Sequence, residues 1–85
     1  MASVEIYTSP ICGYCAMAKR LLDGKGVAYV EIDVFSDPAA REQMMARANG
    51  RHTVPQIFVG ETHVGGSDEL HALERNGKLD TLLAA

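Results

Sequence analysis

The sequence predicts an α/β fold of order β-α-β-α-β-β-α, with a mixed four-stranded sheet flanked by helices. Three observations lead there. Apolar alternation of period two appears at Val4-Glu5-Ile6-Tyr7 and again from Val27 to Val34. Helical spacing of small and apolar residues fills the stretch between them, which makes a parallel β-α-β unit with a right-handed crossover. Further on, two short strand-like runs stand on either side of the turn Gly60-Glu61 and read as an antiparallel hairpin.

Taken in order, Thr8-Ser9-Pro10 breaks the first strand. Cys15, Ala18, Leu21 and Leu22 then recur at helical spacing from about Cys12 to Leu22, and Gly24 and Gly26 end the pattern. The second strand, Val27 to Val34, places Val30, Ile32 and Val34 on one face. Ser36-Asp37-Pro38 is a helix start, with a side-chain cap ahead of a proline in the first turn. That helix runs to about Ala48 and stops at Asn49-Gly50. Ile57-Phe58-Val59 and Thr62-His63-Val64 form the hairpin, and Gly65-Gly66 breaks the chain again. Ser67 is expected to cap a third helix, with Asp68 and Glu69 in the first turn, where the helix dipole favours acids. Leu70, Leu73 and Glu74 follow with helical period, Asn76-Gly77 stops it, and Leu79 to Ala84 reads as a last helical turn or two. This arrangement is the thioredoxin-like architecture in its minimal form.

With 85 residues the chain is expected to be a single domain spanning 1–85. Its composition, 47% hydrophobic and 22% charged, is too apolar for a disordered chain and too interrupted by charge for a membrane span. Eight basic residues against 11 acidic ones give a net charge of −3, which argues against a nucleic-acid or anionic-membrane partner. The start of the chain shows no basic stretch and no long apolar run, so the expected compartment is the cytoplasm. The two cysteines, Cys12 and Cys15, stand close together. In a reducing compartment such a pair is expected to react rather than to staple.

Cys12-Gly13-Tyr14-Cys15 sits where the first strand gives way to the first helix. Cys12 falls at the helix N-terminus, where unpaired backbone N–H groups and the helix dipole favour its thiolate. The three-residue spacing brings the second sulfur within reach of a mixed disulfide formed on the first, so the motif encodes capture and then resolution. A zinc site would need two more ligands, and His52, His63 and His71 form no tight pair. A purely structural disulfide would close a tiny loop to little entropic benefit. No metal is therefore expected in the main reading.

Pro55, at the head of the third strand, is either a strand-edge proline or a cis-proline that presents the Val54 backbone to an extended peptide. Gly65-Gly66-Ser67-Asp68 is either an ordinary capped helix start or a close-approach backbone leading to a carboxylate-binding helix N-terminus. Met44 and Met45 read as packing or partly exposed residues, His52 and His63 as surface or strand-edge, Tyr7 and Phe58 as core, and Phe35 as core or loop. No carboxylate partner is assigned to His71. Lys19 and Arg20 read as part of a solvated helix face.

Four segments together carry a resemblance: Val4-Glu5-Ile6-Tyr7-Thr8, Cys12-Gly13-Tyr14-Cys15, Thr53-Val54-Pro55-Gln56-Ile57-Phe58 and Gly65-Gly66-Ser67-Asp68. In this order, across nearly the whole chain, they resemble a bacterial glutaredoxin of the glutaredoxin 3 class. The resemblance implies a glutathione-dependent thiol–disulfide oxidoreductase that acts on protein–glutathione mixed disulfides and small disulfides, with Cys12 as nucleophile and Cys15 as resolving thiol. It implies glutathione as co-substrate, glutathionylated or disulfide-containing proteins as partners, and a monomer. It also implies a glutathione groove in which Val54 pairs with the cysteinyl backbone, Thr53 and cis Pro55 flank it, and Tyr14 lines the wall beside the sulfur. Gly66, Ser67 and Asp68 would hold the γ-glutamyl end.

Three departures from the family pattern stand out. Ser9 replaces a frequent lysine, Gly13 a usual proline, and Ser67 a frequent cysteine. Glutaredoxins with a non-proline residue after the first cysteine sometimes carry a [2Fe–2S] cluster between two protomers, ligated by one cysteine per chain and two glutathiones. The alternative reading is such a dimeric cluster carrier, with Cys12 as the ligand. A thioredoxin-like reductant fed by a flavoprotein is a third reading, disfavoured by the groove motifs.

Overall fold

The computed structural model describes residues 2–85. The elements run β1 (Val4–Thr8), α1 (Gly13–Gly24), β2 (Val30–Asp33), α2 (Pro38–Arg47), β3 (Gln56–Val59), β4 (Thr62–Gly65), α3 (Ser67–Arg75) and α4 (Leu79–Ala84). The sheet order is β2-β1-β3-β4. β1 and β2 are parallel, while β1 with β3 and β3 with β4 are antiparallel. This is the mixed thioredoxin-like sheet expected from the sequence.

The two central strands are buried on both faces, and their period-two alternation divides the core in two. Val4, Ile6, Ile57 and Val59 point to one side and pack with Ala18 and Leu22 of α1, Leu70 of α3, and Leu79 and Leu83 of α4. Tyr7 and Phe58 point to the other side, where Ala40 and Met44 of α2, with Ala48 just beyond it, close over them. Tyr7 and Phe58 meet edge-to-face with centroids 5.7 Å apart. The Arg47 guanidinium lies 4.1 Å above the Phe58 ring, bonded to the Tyr7 hydroxyl at 2.8 Å and to Glu5 at 2.9 Å. Its stem and charge thus seal the edge of that layer. Met44 is fully buried, as a packing residue should be.

α2 begins as the sequence indicates: the Asp37 carboxylate accepts the Ala39 and Ala40 N–H groups at 3.1 and 3.2 Å, with Pro38 in the first turn. Two boundaries differ from expectation. β2 is confined to Val30–Asp33 and does not run from 27 to 34. As an edge strand it is covered unevenly: Val34, past its end, is buried under α2, Ile32 is half-buried and Val30 is exposed. Ser67 does not cap α3. Gly66 takes that position, and the Glu69 carboxylate reaches back to its N–H at 2.6 Å, which is half of a capping box. Leu79 to Ala84 forms the short last helix expected of it, and Leu79 and Leu83 there complete the first core layer. Phe35 is an exposed loop residue.

Two expected outcomes follow from local conformation. Ile11 holds a positive φ of 54° although β-branched, and its side chain is fully exposed. The left-handed region costs such a residue about 1–2 kcal/mol, and asparagine less. Ile11→Asn should therefore raise stability by about 1 kcal/mol, read as a melting-temperature gain of roughly 4–8 °C for a domain this size; an unchanged or lower melting temperature would refute the strain.

The second outcome concerns His63, which stacks on Phe58 with centroids 4.9 Å apart and contacts the Gln56 side-chain oxygen at 2.7 Å. Burial, and then the nearby Arg51 charge, push its pKa below the ordinary histidine value. The folded state thus prefers neutral imidazole. Its contribution is complete above the unfolded-state pKa of about 6.5 and is lost as pH falls from there toward the lower folded value. Urea unfolding at a series of pH values should show this loss in the wild type and a flatter profile in His63→Gln.

Candidate active site

The site is built at the ends of β1 and β3. Thr8 closes β1, and Ser9-Pro10-Ile11 turns the chain so that Cys12 becomes the N-cap of α1 with extended backbone (φ −127°, ψ 108°). The Cys12 sulfur accepts the Cys15 backbone N–H at 3.1 Å, and the Cys12 carbonyl accepts the first helical bond from Ala16 at 3.1 Å. On its other side the sulfur lies 3.9 Å from the Val54 carbonyl oxygen. Both cysteines are free thiols, but their settings differ: Cys12 is half-exposed, whereas Cys15 is 2% exposed. Burial first, and the hydrogen bond with Cys12 second, push the Cys15 thiol up to about 12. The geometry therefore leaves Cys12 reachable and keeps Cys15 protonated behind it.

Beside Cys12 lies a groove of about 260 Å³, walled by Tyr14, Thr53, Val54, Pro55, Gly66, Ser67 and Asp68, with Arg51 and Glu69 added. All seven residues that the sequence marks for the groove converge there. The Val54–Pro55 peptide is cis, which resolves the two readings of Pro55. Gln56, fully buried, donates to the Thr53 carbonyl at 3.0 Å and so fixes the loop that carries Val54. Gly66 comes so close to the Pro55 carbonyl that a β-carbon there would stand 3.4 Å from it. At Gly65, with φ 115°, a β-carbon would collide with the Glu69 carboxylate. These two glycines let the start of α3 approach the proline loop.

The roles within α3 are distributed differently from the sequence reading. Ser67 is 4% exposed, and its hydroxyl and carbonyl both contact His71 Nδ1, at 3.3 and 2.8 Å. Asp68 is exposed at the groove and makes no ion pair among the described residues. Glu69 is held below the usual carboxylate range by the Gly66 N–H and then by Arg51. Arg51 contacts it at 3.2 Å. Arg51 was not singled out from the sequence, and Glu69 was read only as a first-turn acid, although a base two residues before Thr53 was an available signal.

Lys19 lies on the partly solvated helix face expected of it, its side chain 32% exposed, but it is paired there. Its ammonium is 2.9 Å from Glu31, which also accepts the Thr8 hydroxyl at 2.8 Å. All three line a cavity of about 530 Å³ together with both cysteines. Cys12 thus stands at a junction, with this cavity on one side and the Val54 wall of the groove on the other. Among the described residues no three His, Cys, Asp or Glu side chains converge as a metal site, and no helix is long and apolar enough to cross a membrane.

The glutaredoxin family model matches residues 4–64. Over its full length the chain is 56% identical to a glutaredoxin of Pseudomonas aeruginosa, covering all of that protein. It is 52% identical over 83 residues to glutaredoxin 3 of Escherichia coli K12, covering 98% of this chain and 99% of that one. Among solved structures, a buckwheat glutaredoxin–glutathione complex superposes with a TM-score of 0.85 at 33% identity, covering 98% of this chain and 77% of that one. The chain belongs to the glutaredoxin family.

Proposed function

We propose that this chain is a glutathione-dependent thiol–disulfide oxidoreductase that reduces protein–glutathione mixed disulfides and small disulfides, working as a single cytoplasmic domain over 1–85. The observation that carries the reading is the position of the Cys12 sulfur, at the start of α1 and 3.9 Å from the Val54 carbonyl that walls the groove. Cys12 attacks the glutathione sulfur of the mixed disulfide. The old S–S bond breaks, and the protein thiol leaves as a thiolate that takes up a proton. A glutathionylated Cys12 remains. External glutathione resolves it and leaves as glutathione disulfide. In the dithiol route Cys15 resolves it instead, forming the Cys12–Cys15 disulfide and releasing glutathione. No net oxidant is consumed beyond the substrate disulfide.

Within the groove, the Val54 backbone is available to pair with the cysteinyl unit of glutathione, and Tyr14 covers the sulfur side. Asp68 suits the α-amino group, while the first N–H groups of α3 suit the γ-glutamyl carboxylate. With Ser9 in place of a lysine, Arg51 supplies the cation of the groove and suits the glycine carboxylate.

A second reading, the dimeric [2Fe–2S] carrier, is favoured by one local feature: a β-carbon at Gly13 would meet nothing within 4 Å, so the backbone beside Cys12 is uncrowded. Cys12, half-exposed, is placed to serve as its ligand, and such a cluster would add electron transfer. Iron content and visible absorbance after anaerobic reconstitution with glutathione distinguish the two readings.

Cys12→Ser should abolish deglutathionylation of a glutathionylated peptide in a glutathione-coupled assay, while Cys15→Ser keeps the monothiol route. Substantial activity in Cys12→Ser would refute the nucleophile assignment. Asp68→Ala should raise KM for glutathione up to about a hundredfold, the equivalent of a charge-assisted contact of roughly 1.5–3 kcal/mol, with little change in melting temperature. Loss of stability in step with loss of affinity would identify a role confined to the helix start.

A further inference from the structure

The cavity behind Cys12 contains charge that the steps above do not use. Cys15 and Lys19 stand one turn apart on α1, at i and i+4, and so share a face of the helix. The Lys19 side chain does not extend freely into water. Glu31 holds it at 2.9 Å, and Glu31 is itself held by the buried Thr8 hydroxyl at 2.8 Å. Both sulfurs and this triad line one space of about 530 Å³. We propose that Lys19, anchored by Glu31 and Thr8, is a positioning residue for the resolving step: its ammonium stabilises the Cys15 sulfur as that sulfur becomes a thiolate inside the cavity. The inference rests on the reading of Cys15 as the resolving thiol.

The charges that face Cys15 can be named element by element. On α1 they are Cys12 and Lys19. From β2 and its end come Glu31 and Asp33, and from the loop after β1 the Ser9 backbone. Arg20 and His71 lie in a separate depression beside Met17 and Leu21. Among the influences on Cys15, burial and then the Cys12 sulfur oppose its ionisation, whereas the Ser9 backbone and, to a smaller extent, Lys19 favour it. Once Cys12 carries glutathione, its thiolate charge is gone and its opposition lapses. Burial then remains, with Lys19 as the side-chain cation acting against it. Glu31 lies below its ordinary value because of Lys19 and then Thr8, and Lys19 lies above its ordinary value because of Glu31. Neither group is suited to take the proton near neutral pH. The pair acts by charge, and the Cys15 proton leaves to water in the cavity.

The step balances. The Cys15 thiol loses its proton, the thiolate attacks Cys12 Sγ, the bond to glutathione breaks, and the released glutathione thiolate takes up a proton. The test is the first-order closure of that disulfide. Reduced protein is mixed with glutathione disulfide, quenched with acid and alkylated at a series of pH values, and the glutathionylated and internally oxidised forms are counted by mass. Lys19→Gln should slow closure roughly tenfold at neutral pH, and by the same factor at every pH well below the Cys15 pKa, because both thiolate fractions then rise in parallel. Lys19→Arg should keep most of the wild-type rate and profile. An unchanged rate in Lys19→Gln, or a Lys19→Arg variant as slow as Lys19→Gln, would overturn the proposal. If the wild type accumulates no internal disulfide and behaves like Cys15→Ser, the reading of Cys15 fails and the inference falls with it, a result separable from the first two.

Discussion

The Cys15 amide donates to the Cys12 sulfur at 3.1 Å, so the reacting atom is also the side-chain cap of α1. Both roles want the same thing. An orphan N–H at a helix start seeks an acceptor, and a thiolate is a better acceptor than a thiol. The helix therefore holds the Cys12 sulfur at its start by a backbone donor, with no cation needed to fix it there. The constraint runs the other way as well. When Cys12 is tied up in a disulfide the acceptor is neutral, so the cap weakens at the moment when Cys15, three residues on, has to move toward it. Rigid packing of Ala18 and Leu22 further along α1, both fully buried, confines that loosening to the first turn.

The groove depends on a second constraint, the two-sided burial of β1 and β3. Because Ile57 and Val59 face one layer and Phe58 the other, β3 has no freedom of register against β1. The loop before it is therefore delivered to the N-terminus of α1. Gln56 is buried yet fully engaged: its amide donates to Thr53, and its oxygen meets His63. A buried polar group with every partner in place specifies one arrangement more sharply than an apolar residue would. The polar chain His63–Gln56–Thr53 thus links the hairpin to the wall of the groove.

Much of this was legible in the sequence because the signals are local. Period-two alternation gave β1 and β3, Asp37-Pro38 gave the start of α2, and the Cys12 motif and Thr53-Val54-Pro55 marked the groove. What was misread depends on tertiary placement. Val27 to Val34 alternates throughout, but an edge strand extends only where its neighbour pairs with it, and β1 pairs only from Glu5 opposite Val30 to Thr8 opposite Asp33. Ser67 is a good capping residue by type, yet the close approach of Gly66 to the Pro55 carbonyl moves the helix boundary one residue earlier and buries Ser67. Arg51 and Lys19 escaped for a different reason. Long cationic side chains are usually solvated, and only the position of a carboxylate on another element, Glu69 or Glu31, shows where their charges are held.

The departures at Ser9 and Gly13 take on meaning against those two cations. A lysine at position 9 would act on Cys12 directly. Here the held cations lie elsewhere, Arg51 in the groove and Lys19 in the cavity behind the sulfurs. Each is tied to a carboxylate, and each is therefore placed more firmly than a free side chain would be, at the cost of part of its field. Such an arrangement gives Cys12 its acceptor role through backbone N–H groups, which pH does not titrate and salt screens little, and assigns side-chain charge to ligand and to resolving thiol. Gly13 fits the same division: with no β-carbon and nothing within 4 Å of where one would be, it neither stiffens nor shields the first turn. In the proposed reaction the nucleophile is thus left to the helix, and the steps before and after it to Arg51 and Lys19.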